Sequence, residues 1–273
     1  MSGNGDGGAA SGVGPRVAVV TGAARGIGAA VVHRLAGGGW RVVAVDACAD
    51  LAGVGYPLGT LAELDAVALA HPGSVLPVVA DVRDEPALAA AVRLATDEFG
   101  GLDAAVAAAA VLAGGRPLWE TTDAEWDALY ETGLRGVFHL ARTAVPAMLA
   151  RPEPRSGRFV ALASAAAHQG LWHLAAYNAV KHGVVGLVRG LAADLRGSGV
   201  SATAVSPGST DTAMLAATAA LYGMPSPKPF GVQQLVERLL DPDEVAAAVC
   251  WLCGPDSSAV TGSVLHADGG FTG

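Results

Sequence analysis

The chain has 273 residues, 52% of them hydrophobic and 15% charged, with a formal net charge of −8. That length and apolar content suit one α/β domain with a sizeable core and exclude a disordered chain. The acidic balance, without a Lys/Arg cluster, argues against nucleic acid or an anionic membrane as partner. The basic residues are fifteen Arg and only two Lys, Lys181 and Lys228, so each lysine is conspicuous.

Residues 1–14 are Gly/Ser-rich and read as a flexible tail ahead of a single domain spanning 15–273. There is no signal-peptide pattern and no apolar run of about 18 residues, so a cytoplasmic protein is expected. The apolar run Arg16–Thr21, closed by Gly22, suits a buried parallel strand. An Ala-rich helix follows over Ile27–Gly37, then a strand at Trp40–Asp46. A third strand covers Val75–Asp81, a helix Glu85–Phe99, and a fourth strand Leu102–Ala108. Pro117–Ala150 reads as helices, Arg158–Ala163 as a fifth strand, and Ala175–Arg196 as a long helix. Val200–Val205 and Ser263–Ala267 supply two more strands, with a helical run at Glu244–Cys253 between them. Strands alternating with helices predict a Rossmann-type doubly wound parallel sheet of about seven strands, with helices on both faces. The three cysteines form no disulfide framework. Cys250 and Cys253 have a redox spacing, but they end a helix, lack a second pair for a metal, and read as small packing residues. No metal is expected.

The turn Gly22-Ala-Ala-Arg25-Gly26-Ile27-Gly28 joins the first strand to the first helix. Glycines there permit a sharp turn and close approach of a pyrophosphate, which the helix N-terminus meets with free N–H groups. Asp46 ends the next strand, twenty-four residues after Gly22, where an acid binds the adenosine ribose hydroxyls of a dinucleotide. Its charge repels a 2′-phosphate by several kcal/mol at ~4 Å, which favours NAD, whereas Arg25 pulls toward NADP. Asp81, followed by Val82, is either an adenine neighbour or a turn acid.

Tyr177 and Lys181 are one helical turn apart on one face. An ammonium beside a phenol lowers a pKa that starts near 10 and makes a base usable near neutral pH. Ser164 ends the fifth strand, at the crevice side of such a sheet, where a serine donates to a reacting oxygen.

Together these features resemble the short-chain dehydrogenase/reductase family over nearly all of Arg16–Gly273, including Ser206–Thr212 and Val260-Thr-Gly262 with Asp268-Gly-Gly270. The resemblance implies a catalytic set of Ser164, Tyr177 and Lys181. It implies a cofactor site of Gly22, Arg25, Gly26, Ile27, Gly28, Asp46, Asp81, Val82, Ala108, Ala109, Tyr177, Lys181, Pro207, Gly208, Thr210 and Thr212. NAD is the implied cofactor, and a homotetramer the implied assembly. Two departures stand out: the family's Asn-Asn-Ala-Gly is Ala107–Ala110 here, and Gly133 replaces the asparagine of the catalytic tetrad. Gly133 implies a weakened proton relay.

A finer resemblance concerns the long connection from Asp46 to Asp81, with Tyr56-Pro-Leu-Gly-Thr60-Leu-Ala-Glu63, and the stretch Gly114–Trp126. Both are similar to the mycofactocin-associated branch, which implies NAD held without exchange and mycofactocin as electron acceptor. The bland reading of the insert is a solvent-exposed loop. Ala165–Leu174 and Ala213–Phe230 are the pocket candidates; His168, Trp172 and His173 belong to the first, Met214, Tyr222 and Met224 to the second. They suggest a small hydrophobic alcohol or carbonyl substrate, with Pro225–Pro229 as part of a mobile lid. The competing expectations are an ordinary dehydrogenase exchanging free NAD(H) and a non-catalytic NAD-binding scaffold.

Overall fold

The computed structural model describes residues 14–272, so the Gly-rich stretch before Gly14 lies outside the described residues. Its centre is a sheet of seven parallel strands. In chain order these are β1 Val17–Thr21, β2 Arg41–Asp46, β3 Val75–Val79, β4 Ala104–Ala107, β5 Arg158–Leu162, β6 Ser201–Pro207 and β7 Val264–Ala267. The helices are α1 Gly26–Gly37, α2 Leu61–Leu69, α3 Glu85–Phe99, α4 Asp123–Tyr130, α5 Gly136–Leu149, α6 Ala175–Asp194, α7 Ala213–Leu221 and α8 Pro242–Cys253.

Every residue of β1, β4, β5 and β6 is buried, which is why these strands read as continuous apolar runs rather than alternations. Successive side chains still separate by face. Val17 and Val19 pack with Leu88, Val92, Leu140 and Val184 under α3, α5 and α6. Ala18 and Val20 pack with Val31, Leu35, Leu64 and Val249 under α1, α2 and α8. The two cores are the two faces of one sheet. β3 lies at an edge, where Pro77 is tolerated because its missing N–H breaks no inner ladder.

The strand order is β3-β2-β1-β4-β5-β6-β7. The chain winds outward from β1 through β2 and β3, then returns to the other side of β1 as β4. Doubly wound sheets open a crevice where that direction reverses, at the carboxyl ends of β1 and β4.

The expected elements are present, with ends shifted by a residue or two. Two segments are more ordered than expected. The connection from Asp46 to β3 contains α2, started by a capping box in which Thr60 accepts from the Glu63 N–H and Glu63 accepts from the Thr60 N–H. The stretch after Thr212 forms α7, whose Leu215 N–H donates to the Thr212 hydroxyl, and Lys228–Gln233 is a 3₁₀ turn. Residues 117–150 divide into a short 3₁₀ turn, α4, a π-helical turn at Glu131–Arg135, and α5.

Candidate active site

The turn after β1 brings backbone close to backbone. Gly22 has φ +68°, and a Cβ there would lie 2.7 Å from Ala109 Cα, so any side chain would push the loop after β4 out of the crevice. Thr21 secures that loop: its hydroxyl accepts from the N–H groups of Ala108 (3.2 Å) and Ala109 (3.4 Å) and donates to the Val106 carbonyl. The alanines at 107–110 lack asparagine side chains, and Thr21 supplies the tie from the neighbouring strand. Arg25, the residue before α1, is extended and makes no side-chain cap, so the helix presents its first N–H groups to the crevice.

Asp46 closes the end of β2. Its carboxylate accepts from the Ala24 N–H at 3.0 Å and the Cys48 N–H at 3.1 Å. The inserted segment is packed and not a solvated loop. Leu51, Val54, Tyr56 and Leu58 lie against a cluster containing Val111, Leu112, Leu129, Leu174, Tyr177 and Val180. The Tyr56 hydroxyl accepts from the Leu112 N–H at 3.2 Å, the Leu58 N–H donates to Asp50 at 2.8 Å, and Arg25 donates to the Pro57 carbonyl at 2.5 Å.

At the other end of the crevice, α6 places Tyr177 and Lys181 on one buried face. Lys181 Nζ donates to the Leu162 carbonyl at 2.9 Å and sits 5.7 Å from the centroid of the Tyr177 ring. Ser164 follows β5 and caps a 3₁₀ turn by accepting from the Ala166 N–H. Burial pushes the Tyr177 phenol up to about 12; the adjacent Ser164 hydroxyl draws it down and Tyr56 adds to the rise. Burial pushes the Lys181 ammonium down to about 8. The expectation that Lys181 holds the phenol low is therefore corrected for the protein by itself. Both groups are removed from water, which penalises their charged forms.

Every residue singled out from the sequence for cofactor or chemistry, from Gly22 through Asp46, Asp81, Ala108 and Ser164 to Thr212, lines one cleft of about 310 Å³. Asp81 does not cap a helix: it pairs with Arg83 at 2.6 Å, and Asp84 caps α3. Of the pocket candidates, Leu171, Leu174 and Met214 line the cleft, whereas His168, Trp172, His173, Tyr222 and Met224 do not. His168 Nε2 is 2.8 Å from the Ser206 hydroxyl, a structural contact, and Trp172 stacks on His173. Pro225–Pro229 also stands outside the lining. Cys250 and Cys253 are free thiols, both pushed up by burial, and among the described residues no cluster suits a metal ion.

Several lining residues escaped the sequence reasoning, Tyr56, Gly59 and Thr132 among them. Tyr56 and Gly59 arrive from the insert, which periodicity alone does not orient; the Thr60/Glu63 capping box was the available sign that the insert is ordered. Thr132 arrives from the π-helical turn, and its hydroxyl is buried without a hydrogen-bond partner. Beside it, a Cβ on Gly133 would lie 2.8 Å from Val180 Cγ1, so Val180 occupies the room a side chain would need. A cleft with a glycine turn, free helix N–H groups, an acid beyond β2 and an unpartnered buried hydroxyl fits a dinucleotide with an unphosphorylated ribose.

The family profile described as enoyl-(acyl carrier protein) reductase matches residues 22–272. The chain is 36% identical over 260 residues to cis-4-hydroxycyclohexanecarboxylate dehydrogenase of Sinomonas cyclohexanicum, covering 94% of this chain and 96% of that protein. It is 34% identical over 271 residues to (-)-trans-carveol dehydrogenase of Rhodococcus erythropolis, covering 94% and 97%. Among solved structures, carveol dehydrogenase from Mycobacterium avium in complex with NAD superposes with a TM-score of 0.89 at 30% identity, over 95% of this chain and 98% of that one.

Proposed function

The chain belongs to the short-chain dehydrogenase/reductase family, and on that premise we propose that it interconverts a small hydrophobic alcohol and its carbonyl compound, with NAD retained in the cleft and mycofactocin as the external electron acceptor. The observation that carries the reading is the convergence of Ser164, Tyr177 and Lys181 with the glycine turn in one cleft. When bound, NAD supplies the hydride acceptor. The residues of the chain do the rest. Tyr177 exchanges a proton with the substrate oxygen, and Ser164 donates a hydrogen bond that fixes that oxygen. Lys181, bonded to Leu162, brings a positive charge to the face of the phenol, and it would hold the nicotinamide ribose of bound NAD.

The substrate end of the cleft is apolar, with Val111, Leu112, Leu171, Leu174, Met214 and Leu215, which suits a hydrophobic alcohol. Relatives named for carveol and for 4-hydroxycyclohexanecarboxylate agree with that class. Retention of NAD is favoured by the segment 47–60, anchored over the cleft by Tyr56 and by Pro57, since bound nucleotide leaves only when those contacts break. Among the described residues no helix is long and apolar enough to cross a membrane. A cytoplasmic homotetramer completes the proposal, by resemblance to the family.

Native mass spectrometry of the purified protein tests retention: a mass increment equal to NAD is expected. Turnover of a hydrophobic alcohol is then expected with an artificial electron acceptor and not with added NAD. Turnover that depends on added NAD would instead select an ordinary dehydrogenase exchanging free NAD(H). Tyr177→Phe should abolish turnover while leaving NAD bound; unchanged turnover would remove Tyr177 from the mechanism.

A further inference from the structure

Selection between NAD and NADP is ordinarily assigned to the acid that ends the second strand, here Asp46. The sequence leaves a conflict, because Arg25 in the glycine turn is a cation suited to a 2′-phosphate. The structure resolves it through the insert. Arg25 Nη2 donates to the Pro57 carbonyl at 2.5 Å, so one edge of its guanidinium is held by the segment that covers the cleft. The other cations lining the cleft are engaged as well: Arg83 pairs with Asp81 at 2.6 Å, and Lys181 donates to Leu162 at the opposite end. A phosphate on the ribose would meet the Asp46 carboxylate beside a guanidinium that the insert holds at one edge.

Space is withheld too. A Cβ built on Gly59 would lie 3.0 Å from Asp46 Oδ1 and 3.0 Å from Ala24 Cβ, so the backbone of the insert already rests on the carboxylate. The insert cannot lift there alone. Leu58, between Pro57 and Gly59, donates its N–H to Asp50 at 2.8 Å, and Tyr56 is tied to Leu112. Just beyond, Thr60 starts α2 through its capping box. Upstream, at Gly53, a side chain would run into the Ala124 carbonyl.

We propose that Pro57-Leu58-Gly59 is a second determinant of cofactor choice, which bars a 2′-phosphate by occupying its space and by sequestering Arg25, so that removing the Asp46 charge does not by itself admit NADP. The proposal rests on the reading that the cleft holds a nicotinamide dinucleotide.

The test uses nucleotide-stripped full-length protein and measures Kd for NAD and for NADP by calorimetry. Four proteins are compared: wild type, Asp46→Ser, a variant with residues 51–58 replaced by eight Gly/Ser residues, and the two changes combined. Asp46→Ser alone is expected to shift the NADP-to-NAD preference by less than tenfold, and the combination by more than a hundredfold. In the combined variant, Arg25→Ala should then cancel most of the gain, because the freed guanidinium is what captures the phosphate. An Asp46→Ser protein that binds NADP as well as NAD would overturn the proposal, as would a combined variant no better than the single one. If the replaced segment prevents folding, Asp46→Ser with Asp50→Ala and Tyr56→Phe, which frees both the Leu58 and the Tyr56 anchors, takes its place, and no gain over Asp46→Ser overturns the proposal equally. Failure of wild type to bind either nucleotide would instead refute the underlying dinucleotide reading.

Discussion

Replacing Lys181 by Met removes a buried ammonium while keeping an unbranched chain of similar length in the same packing. The ammonium falls from 10.5 to about 8 on burial. That lowering corresponds to about 3 kcal/mol between the charged and neutral forms. Because the folded pKa lies below the unfolded one, the unfolded chain binds the extra proton between pH 8 and 10.5. Stability contributed by this group therefore rises with pH across that window and is lost as pH falls toward 8. Lys181→Met erases the slope. At pH 7 the variant escapes the penalty on the charge but forfeits the bond to Leu162, worth about 1.5–3 kcal/mol, so its net change there is small. The informative quantity is the difference between the two proteins. In urea unfolding of nucleotide-stripped protein, wild type should gain on the variant by about 1 kcal/mol between pH 8 and pH 9. The raised thiols of Cys48 and Cys250 titrate identically in both proteins and cancel. Parallel pH profiles for the two proteins would refute the reasoning, because they would mean that Lys181 keeps its ordinary proton affinity when buried.

Gly133→Asn should destabilise the fold by about 1–3 kcal/mol, because its Cβ would meet Val180 Cγ1 at 2.8 Å. Thermal unfolding checks it, and Val180→Ala in the same chain should restore most of the loss; unchanged rates and pH profiles in the paired variant would show that this position does not limit proton transfer. Gly22→Ala combines a positive φ with a Cβ 2.7 Å from Ala109 Cα, and calorimetry with NAD should show binding weakened by at least a hundredfold. Tyr56→Phe keeps the ring in its apolar cluster but leaves the Leu112 N–H unpaired, at a cost of about 1–3 kcal/mol; NAD release, followed by fluorescence in stopped flow, should accelerate about tenfold or more.

Much of this protein is legible without coordinates, for physical reasons that differ between elements. The strands that build the floor of the cleft are short runs rich in valine and alanine, because both faces of the sheet are covered and most positions are apolar. The glycine turn, Asp46, Tyr177 and Lys181 are legible because their chemistry demands a residue type at a spacing that strand and helix geometry impose. What stayed hidden depends on contacts distant in sequence. Tyr56 meets Leu112 across fifty-six positions, and only the folded chain shows that the insert lies inward. Val180 filling the room beside Gly133 is equally invisible in the sequence, as is the burial that raises Tyr177 and lowers Lys181. His168, Trp172 and Tyr222 looked like pocket residues by proximity in sequence, yet their side chains bond and stack around the rim.

The shared packing of the insert and α6 has a kinetic meaning. Leu51, Val54, Tyr56 and Leu58 lean on the same cluster that seats Tyr177 and Val180. If the insert moves away from α6, the phenol loses apolar neighbours and meets water, so the cover of the cleft and the environment of the reacting group would change together. Release and chemistry would then draw on one small cluster, and a change made to loosen the cover would also be felt at Tyr177.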